Sequence, residues 1–405
     1  MLFPPLGGLL GERVVGGLEV VAATVAFARL AGGRLAVWIV PALLAALVSG
    51  RITFLLGAAL GIAAVAERGA WRVALGVLTA LASPVAALFV GVAAVALRSW
   101  PLAAAVAAPT AALALAFPTG GTFPFATSSF LPAFAAGVAV ALAAPRRSPL
   151  AVGGALYAVL CLGALVVPSP VGGNAARLGV LVAVPVAVHL LWPHRRRALY
   201  ALAVPLAYWV LQPAIRDVAR TVGDPSTQAA FFAPLVERFG GEPIRIEVPM
   251  LMSHGEANHL ARHVSIARGW ERQLDRKRGA LFYDGFSARR YARWLRANAV
   301  SYVALPRGVP FDPAGRAEAR LVASAPPFLR EVAGARDWRV FAVRDPAPLA
   351  EGAAVTRIGP AGFTLGPRRG PALVRLHHSR WLGCVQAGSG PWTLVAPSKP
   401  GCGDG

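Results

Sequence analysis

One stretch in the second half of the chain concentrates side chains that can do chemistry. It reads SHGEANHLARH, then ARGWERQLD and LFYDG, and it supplies His254, Glu256, Arg268, Arg272 and Asp284. Arginine recognises phosphate through paired hydrogen bonds, so Arg268 and Arg272 are candidates for holding a phosphate or pyrophosphate, with His254 beside them. A carboxylate such as Glu256 or Asp284 can act as a general base if it reaches a sugar hydroxyl.

The same stretch allows two other interpretations. His259 and His263 lie one helical turn apart and could bind a divalent metal together with His254 or Glu256. The spacing matches no zincin signature and no cysteine contributes, so we predict no zinc site of a known type and keep a divalent metal as an alternative. Structural use of each residue, in a capped loop and a surface helix, is the other alternative.

Two polar motifs interrupt the apolar first half. Arg51 lies in VSGRITFLLG, while Asn174 and Arg177 lie in PSPVGGNAARLG. One interpretation is anchoring, because a long arginine side chain can reach the membrane interface. The other is a cationic, glycine-lined entrance for the phosphate of a lipid carrier, since helix N-termini also favour anions.

The elements that position these residues follow from the distribution of acidic side chains. The first 213 residues contain three of them, Glu12, Glu19 and Glu67, out of nineteen in the chain. The bilayer core penalises each charge by about 2.5 to 3.5 kcal/mol, so a long stretch with few carboxylates indicates a membrane domain. The chain is 56% hydrophobic with a mean hydropathy of +0.57. The net charge of +21 is spread along the chain without a nucleic-acid motif, and we exclude nucleic acid as a partner.

We predict about nine apolar segments in residues 1–213. They lie at 15–31, 34–49, 52–66, 71–97, 101–117, 130–144, 149–167, 176–193 and 197–213. Cytoplasmic loops are enriched in arginine, so the arginine pair at 146–147 and the arginine triplet at 195–197 predict the cytoplasmic side of the membrane. The loop before Arg177 and the chain after the last segment then lie outside the cell. The same count of segments places Arg51 on the cytoplasmic side. It places four other arginines on the outside: Arg29, Arg34, Arg68 and Arg72. The opening sequence is typical of the middle of a protein, and the sequence leaves open whether the natural start lies upstream of Met1.

The second half has the mixed periodicity of an α/β domain. Alternating strands are predicted at 244–248, 302–305 and 338–343, with helices between them. We therefore predict a membrane domain at 1–213, an extracytoplasmic α/β domain at 214–350, and a small, incomplete β-rich module at 351–405. Cys384 and Cys402 flank a strand pair in that module, and a disulfide between them is compatible with an external location.

Six short sequence motifs, taken together, resemble those of other proteins. They are SGRITFLLG, LTALASPVAALF, GGTFPFATSSF, PSPVGGNAARLG, ARGWERQLD and YARWLRANAVSYVALP. The set resembles uncharacterised bacterial multi-pass membrane proteins that look like glycosyltransferases of the GT-C type. This resemblance covers most of the chain. It implies a multi-pass protein of the cell membrane that moves a sugar from a polyprenyl-phosphate donor at the extracytoplasmic face.

The resemblance also implies a carboxylate base in the first external loop, and this chain has no acidic pair there. Either that loop lies upstream of Met1, or the chemistry is absent. Whether the protein is an enzyme is therefore left open. The alternatives are a transporter or lipid flippase, which would show an internal repeat, and a non-catalytic membrane scaffold that displays the second half.

Overall fold

The computed structural model describes residues 2–118, 121–192, 194–359, 362–377, 385–386, 392–396 and 401–402. The chain forms two compact units, Met1–Ala219 and Arg220–Gly405. The described chain is mostly helical, and its strands lie in the C-terminal part, as expected. The predicted span count and the three-part division stay predictions. The disulfide also stays a prediction, because Cys384 lies outside the described residues.

The first unit is a set of apolar helices. They are α1 (Phe3–Leu10), α2 (Glu12–Ala31), α3 (Gly33–Ala36), α4 (Val40–Val48), α5 (Ile52–Ala66), α6 (Gly69–Ala82), α7 (Pro84–Ala96), α8 (Trp100–Ala116), α9 (Thr127–Ala143), α10 (Pro149–Val166), α11 (Ala176–Leu191) and α12 (Arg196–Thr221). Among the described residues, four helical stretches are long and apolar enough to cross a membrane: Glu12–Ala31, Pro149–Val166, Gly172–Leu191 and Arg196–Thr221. The others are shorter and fit bent or partial crossings.

The segment predicted at 71–97 is not one helix. It breaks at Ser83, whose hydroxyl accepts a hydrogen bond from the Ala86 amide at 3.3 Å and so caps α7. Both halves pack on α5 and run in opposite directions. A Cβ on Gly57 would lie 2.6 Å from the Ser83 Cβ, and one on Gly61 would approach both Thr79 and Val90. The chain therefore enters along α6 and returns along α7.

This fold-back brings the arginines together. The Arg72 guanidinium bonds the Glu67 carbonyl and the Ser99 hydroxyl, which joins the start of α6 to the end of α7. Arg29 pairs with Glu67 at 3.4 Å. We call this side the arginine-rich end, and its arginines are Arg29, Arg34, Arg68, Arg72, Arg98, Arg146, Arg147, Arg195, Arg196 and Arg197. The segment count divided these arginines between the two sides of the membrane, whereas the structure places them at one end.

The opposite side, the Arg51 end, contains the α4–α5 turn, the loop before α9 and the loop before α11. The two loops meet where the Phe123 amide donates to the Ser169 carbonyl at 2.9 Å. Arg51, which the segment count placed opposite Arg177, lies at the same end as Arg177. The correction follows from the break at Ser83, because one extra reversal of the chain changes the side of every preceding turn.

The second unit contains a mixed sheet with helices on its faces. Its elements are α13 (Ala229–Phe239), β1 (Arg245–Glu247), β2 (Ser265–Ile266), α14 (Arg272–Arg278), α15 (Ala288–Ala297), β3 (Tyr302–Pro306), α16 (Pro313–Ala323), β4 (Leu329–Ala335) and β5 (Trp338–Val343). The strand order is β2-β1-β3-β5-β4, with β1, β2 and β3 parallel and the last two antiparallel. Side chains alternate as a strand requires: Trp338 packs on the α13 face and Phe341 on the α15 face.

Short strands follow in the remaining described residues. They are β6 (Ala350–Glu351), β7 (Val355–Ile358), β8 (Phe363–Leu365), β9 (Ala372–His377), β10 (Val385–Gln386), β11 (Trp392–Val395) and β12 (Gly401–Cys402). They form one sheet in the order β10-β11-β9-β6 and another in the order β12-β8-β7. Phe363, Val374 and Val395 supply a small common core.

Candidate functional site

Two arginines from distant parts of the sequence line one pocket in the first unit. Arg51 is the residue before α5, and Arg177 is the second residue of α11. The pocket also includes Ser49 and Phe54, together with residues of α4 and the last part of α12. Its volume of about 10 Å³ is the space of roughly one water molecule. A larger anion would enter only with movement of the flexible arginine side chains.

The charges around the pocket favour the binding of an anion. Both guanidiniums are half-buried, and neither forms a hydrogen bond or ion pair within the described parts of the chain. They lie close enough to act on each other, and Asp217 and Arg216 also act on Arg51. The Ser49 hydroxyl is buried and has no hydrogen-bond partner among the residues that the structure describes. Because Arg51 is the N-cap residue of α5, the unpaired backbone N–H groups of the first turn of that helix add positive potential.

An apolar cavity adjoins this cationic pocket. Its volume is about 150 Å³, and it lies between α2, α5, α7 and α11. The two spaces share Phe54 and Leu181. The Arg177 guanidinium lies 5.4 Å from the centre of the Phe54 ring, within cation–π range. The cationic pocket is therefore complementary to the anionic head of a lipid ligand, and the adjoining cavity is complementary to its hydrocarbon chain.

Asn174, the third candidate of the first half, has a structural contact. It is buried, and its amide nitrogen donates to the Pro170 carbonyl at 3.3 Å, which closes the turn before α11. The neighbouring Gly172 has a φ of 36° and lies so close to the Phe123 carbonyl that a Cβ would not fit. Nearby, the Tyr157 hydroxyl accepts from the Gly179 amide at 3.0 Å. These contacts position the first turns of α11 and with them Arg177.

Arg268 is the centre of a buried ion-pair network in the second unit. It bonds both carboxylate oxygens of Asp275 at 2.9 Å and one oxygen of Glu318 at 3.1 Å, and its guanidinium lies 3.6 Å from the centre of the Phe282 ring. The Tyr291 hydroxyl donates to the other oxygen of Glu318 at 2.7 Å. Burial alone would lower the pKa of Arg268, but its carboxylate neighbours raise it. These contacts use the donors that a phosphate would need.

Glu247, on β1, faces this network through a long ion pair, with its Oε1 atom 3.9 Å from Nη1 of Arg268. It is fully buried, and among the described residues the only hydrogen bond open to its oxygens is a proton shared with Glu318. Burial, followed by the charge of Glu318, raises the pKa of Glu247 well above its usual value. The pair therefore holds a proton, because two charged carboxylates this close in the protein interior would repel.

His254, Glu256 and Arg272 lie in the segments that follow β1 and β2. The Arg272 guanidinium bonds Asp312, which follows β3, at 2.8 Å. His254 has a φ of 54° and stacks on Trp270 with ring centres 5.0 Å apart. The carboxyl ends of the parallel strands thus collect these residues, which is where open α/β sheets bind ligands.

The protonation of these groups limits their chemistry. Burial raises the pKa of Glu256 to about 8, and one of its oxygens is buried with no hydrogen-bond partner in the described part of the chain. Burial also lowers the pKa of His254. At pH 7 Glu256 is largely protonated, so it is suited to donate a proton or a hydrogen bond rather than to act as a general base.

The remaining predicted groups have other surroundings. Asp284 is exposed, and its backbone carbonyl accepts from Arg290 at 3.1 Å. His259 lies 3.1 Å from the Thr227 carbonyl through its Nε2 atom. In the part of the chain that the structure describes, no group of three or more His, Cys, Asp or Glu residues is placed to hold a metal ion.

Several site residues carry no signal that sequence reasoning could use. Ser49 and Phe54 belong to apolar helices, and Glu247 and Glu318 look like surface carboxylates until the fold buries them. Only the rarity of an acidic residue inside a strand of apolar neighbours could have drawn attention to Glu247. Comparison of the chain with protein-family models, with curated proteins and with solved structures finds no match.

Proposed function

We propose that this membrane protein binds a polyprenyl-phosphate-linked sugar through Arg51 and Arg177 and acts as a GT-C-type glycosyltransferase. The observation that carries the proposal is the adjacency of a cationic pocket and an apolar cavity that share Phe54 and Leu181. The two guanidiniums would bind the phosphate, for which arginine geometry is well suited. The isoprenoid chain would lie along the apolar cavity.

The charge distribution supports an orientation for this reaction. Arginines accumulate at one end of the first unit, and positive loops stay in the cytoplasm. The Arg51 end is then extracytoplasmic. Because α12 begins at Arg196 and ends at Thr221, the chain leaves the first unit on that same side, and we place the second half outside the cell membrane.

Glycosyl transfer itself is supported by the resemblance of the chain and by the chemistry of the ligand. In this class, attack of an acceptor hydroxyl on the sugar breaks the bond to the phosphate oxygen and releases the lipid phosphate. The two arginines would stabilise the negative charge that develops on that leaving group. The acceptor proton needs a base, and the largely protonated Glu256 is a poor one.

The test compares ligands that differ only in the phosphate. The purified full chain in nanodiscs is incubated with polyprenyl monophosphate or with polyprenol of the same length, and bound lipid is counted by native mass spectrometry. We expect selective retention of the phosphate lipid. Arg51→Gln and Arg177→Gln should each weaken it about tenfold or more, because hydrogen bonds to charged groups contribute roughly 1.5–3 kcal/mol.

Arg146→Gln is the matched control, since it removes an exposed arginine from the opposite end. Equal retention of polyprenol and its phosphate by the wild-type chain would refute the phosphate site. Transfer is measured separately with a labelled polyprenyl-phosphate sugar, and phosphate binding without any release of labelled sugar would leave a lipid-binding protein without transferase activity.

A further inference from the structure

A second lipid-sized space opens at the arginine-rich end of the first unit. It is a groove between α3 and α11 with a volume of about 420 Å³. Its walls are Arg34, Leu35, Trp38, Val188, His189 and Trp192. The space differs from the Arg51 pocket in its position, its size and its lining. The proposed transfer reaction does not use it.

The rim of this groove is cationic. Arg34 is exposed, and it makes no hydrogen bond or ion pair with any residue that the structure describes. Arg196 lies beside the groove, with its guanidinium 5.0 Å from the centre of the Trp192 ring and its Nε atom donating to the Trp192 carbonyl at 3.3 Å. No carboxylate is present among the described residues that line the groove. A ligand group placed at the rim therefore meets uncompensated positive charge.

The walls are suited to the boundary between headgroups and hydrocarbon. Trp38 and Trp192 are each 44% exposed, and tryptophan is enriched at this depth because its ring is apolar and its N–H is polar. Leu35 and Val188 supply apolar surface beside the two rings. The groove thus combines a cationic rim with an apolar wall.

We propose that this groove binds an anionic glycerophospholipid, with the phosphate at Arg34 and an acyl chain against Trp38 and Trp192. Basic pockets between transmembrane helices on the cytoplasmic side bind anionic headgroups for this reason. Charge complementarity selects the ligand, because a zwitterionic lipid brings its own cation to the same rim. The lipid would tie α3 to α11 at the arginine-rich end.

The test uses the full chain in nanodiscs made of equal amounts of phosphatidylglycerol and phosphatidylcholine. Lipids that remain after partial delipidation are identified by native mass spectrometry. We expect enrichment of phosphatidylglycerol in the wild-type chain. Arg34→Gln should reduce the enrichment about fivefold, the effect of one basic residue at an anionic surface, and Trp38→Ala should reduce it as well.

One control separates this site from other sources of charge. The double variant Arg146→Gln/Arg147→Gln removes two arginines from the same end outside the groove and should leave the enrichment unchanged. Equal retention of both lipids by the wild-type chain would overturn the proposal. So would an equal loss in Arg34→Gln and in the double variant. None of these results depends on polyprenyl phosphate, so the transferase proposal stands or falls separately.

Discussion

The Arg177 guanidinium lies over the face of the Phe54 ring, 5.4 Å from its centre. This contact joins the cationic pocket to the apolar cavity, because Phe54 lines both. The same ring packs edge-on against Phe89, with centres 6.1 Å apart, on the far wall of the cavity. One aromatic side chain therefore holds a cation on one side and borders hydrocarbon-sized space on the other.

Replacing this ring should weaken binding of the lipid phosphate. We expect Phe54→Ala to lower the affinity for polyprenyl monophosphate about three- to thirtyfold, since a cation–π contact contributes roughly 0.5–2 kcal/mol. Phe130→Ala removes a buried ring of equal size from α9 that lines neither of the two spaces, and is the control. Equal effects of the two substitutions in the nanodisc binding assay would argue against a specific role of Phe54.

The fold-back of α6 and α7 can be tested through a glycine of α5. A Cβ on Gly57 would lie 2.6 Å from the Ser83 Cβ, whereas one on Gly163 would meet nothing within 4 Å. We expect Gly57→Leu to lower the thermal unfolding midpoint in detergent by several degrees, because overpacking costs about 1–3 kcal/mol. Gly163→Leu should leave it unchanged. Identical midpoints for the two variants would mean that α6 and α7 do not pack against α5 in this way.

Cysteine accessibility tests the orientation. In a background without native cysteines, Thr122→Cys places a thiol in the loop of the Arg51 end, and Arg146→Cys places one at the arginine-rich end; both positions are exposed. A membrane-impermeant maleimide added to intact cells should label the first and not the second. Permeabilised cells, in which both should react, provide the control. Labelling of the second position alone would reverse the orientation.

A substitution in the buried network around Arg268 should lower stability far more than the same substitution in a surface ion pair. Arg339 bonds Glu331 with two contacts of 2.8 and 2.7 Å at an exposed site. We expect Arg268→Met to destabilise the second unit by about 3–5 kcal/mol, since it leaves buried carboxylates unpaired. Arg339→Met should cost about 0–1 kcal/mol. Hydrogen exchange of the β1 and β3 amides reports both values, and a similar loss in the two variants would contradict the prediction.

Between about pH 6.5 and 8 the second unit should lose stability as the pH rises, because the lowered pKa values of His254 and His377 act in the opposite direction only below that range. The pKa of Glu256 increases from 4.5 to about 8 on burial, so the folded state binds its proton more tightly than the unfolded state. The contribution is fully present below pH 4.5 and is lost as the pH rises to about 8, with a slope of up to about 1.4 kcal/mol per pH unit. Glu247 acts in the same direction.

Glu256→Gln should flatten this part of the profile, because the amide does not titrate. Hydrogen exchange between pH 5 and 9, corrected for the intrinsic exchange rate, measures the change. Glu237→Gln, at an exposed position on α13, should leave the profile as in the wild-type chain. A slope that is unaffected by Glu256→Gln would assign the pH dependence to other groups.

The sequence by itself determined the local properties of this protein. The scarcity of carboxylates before residue 213 predicted apolar helices, because the penalty for placing a charge in hydrocarbon applies residue by residue. Strands formed at 245–247, 302–306 and 338–343, where alternating side chains indicated them. The hydroxyl of Ser287 accepts a hydrogen bond from the Arg290 amide and caps α15. Each of these features depends on neighbours within one element.

Only the tertiary structure decided which residues meet. A break at Ser83 turned one predicted segment into two antiparallel helices, and that reversal placed Arg51 beside Arg177 and brought Arg29, Arg34, Arg68 and Arg72 to the arginine-rich end. Likewise, the sequence around Arg268 allowed both a functional and a structural interpretation, and contacts with Glu318 on a distant helix made Arg268 part of the interior. Such outcomes depend on how helices pack over long sequence separations, and no local pattern of side chains encodes that choice.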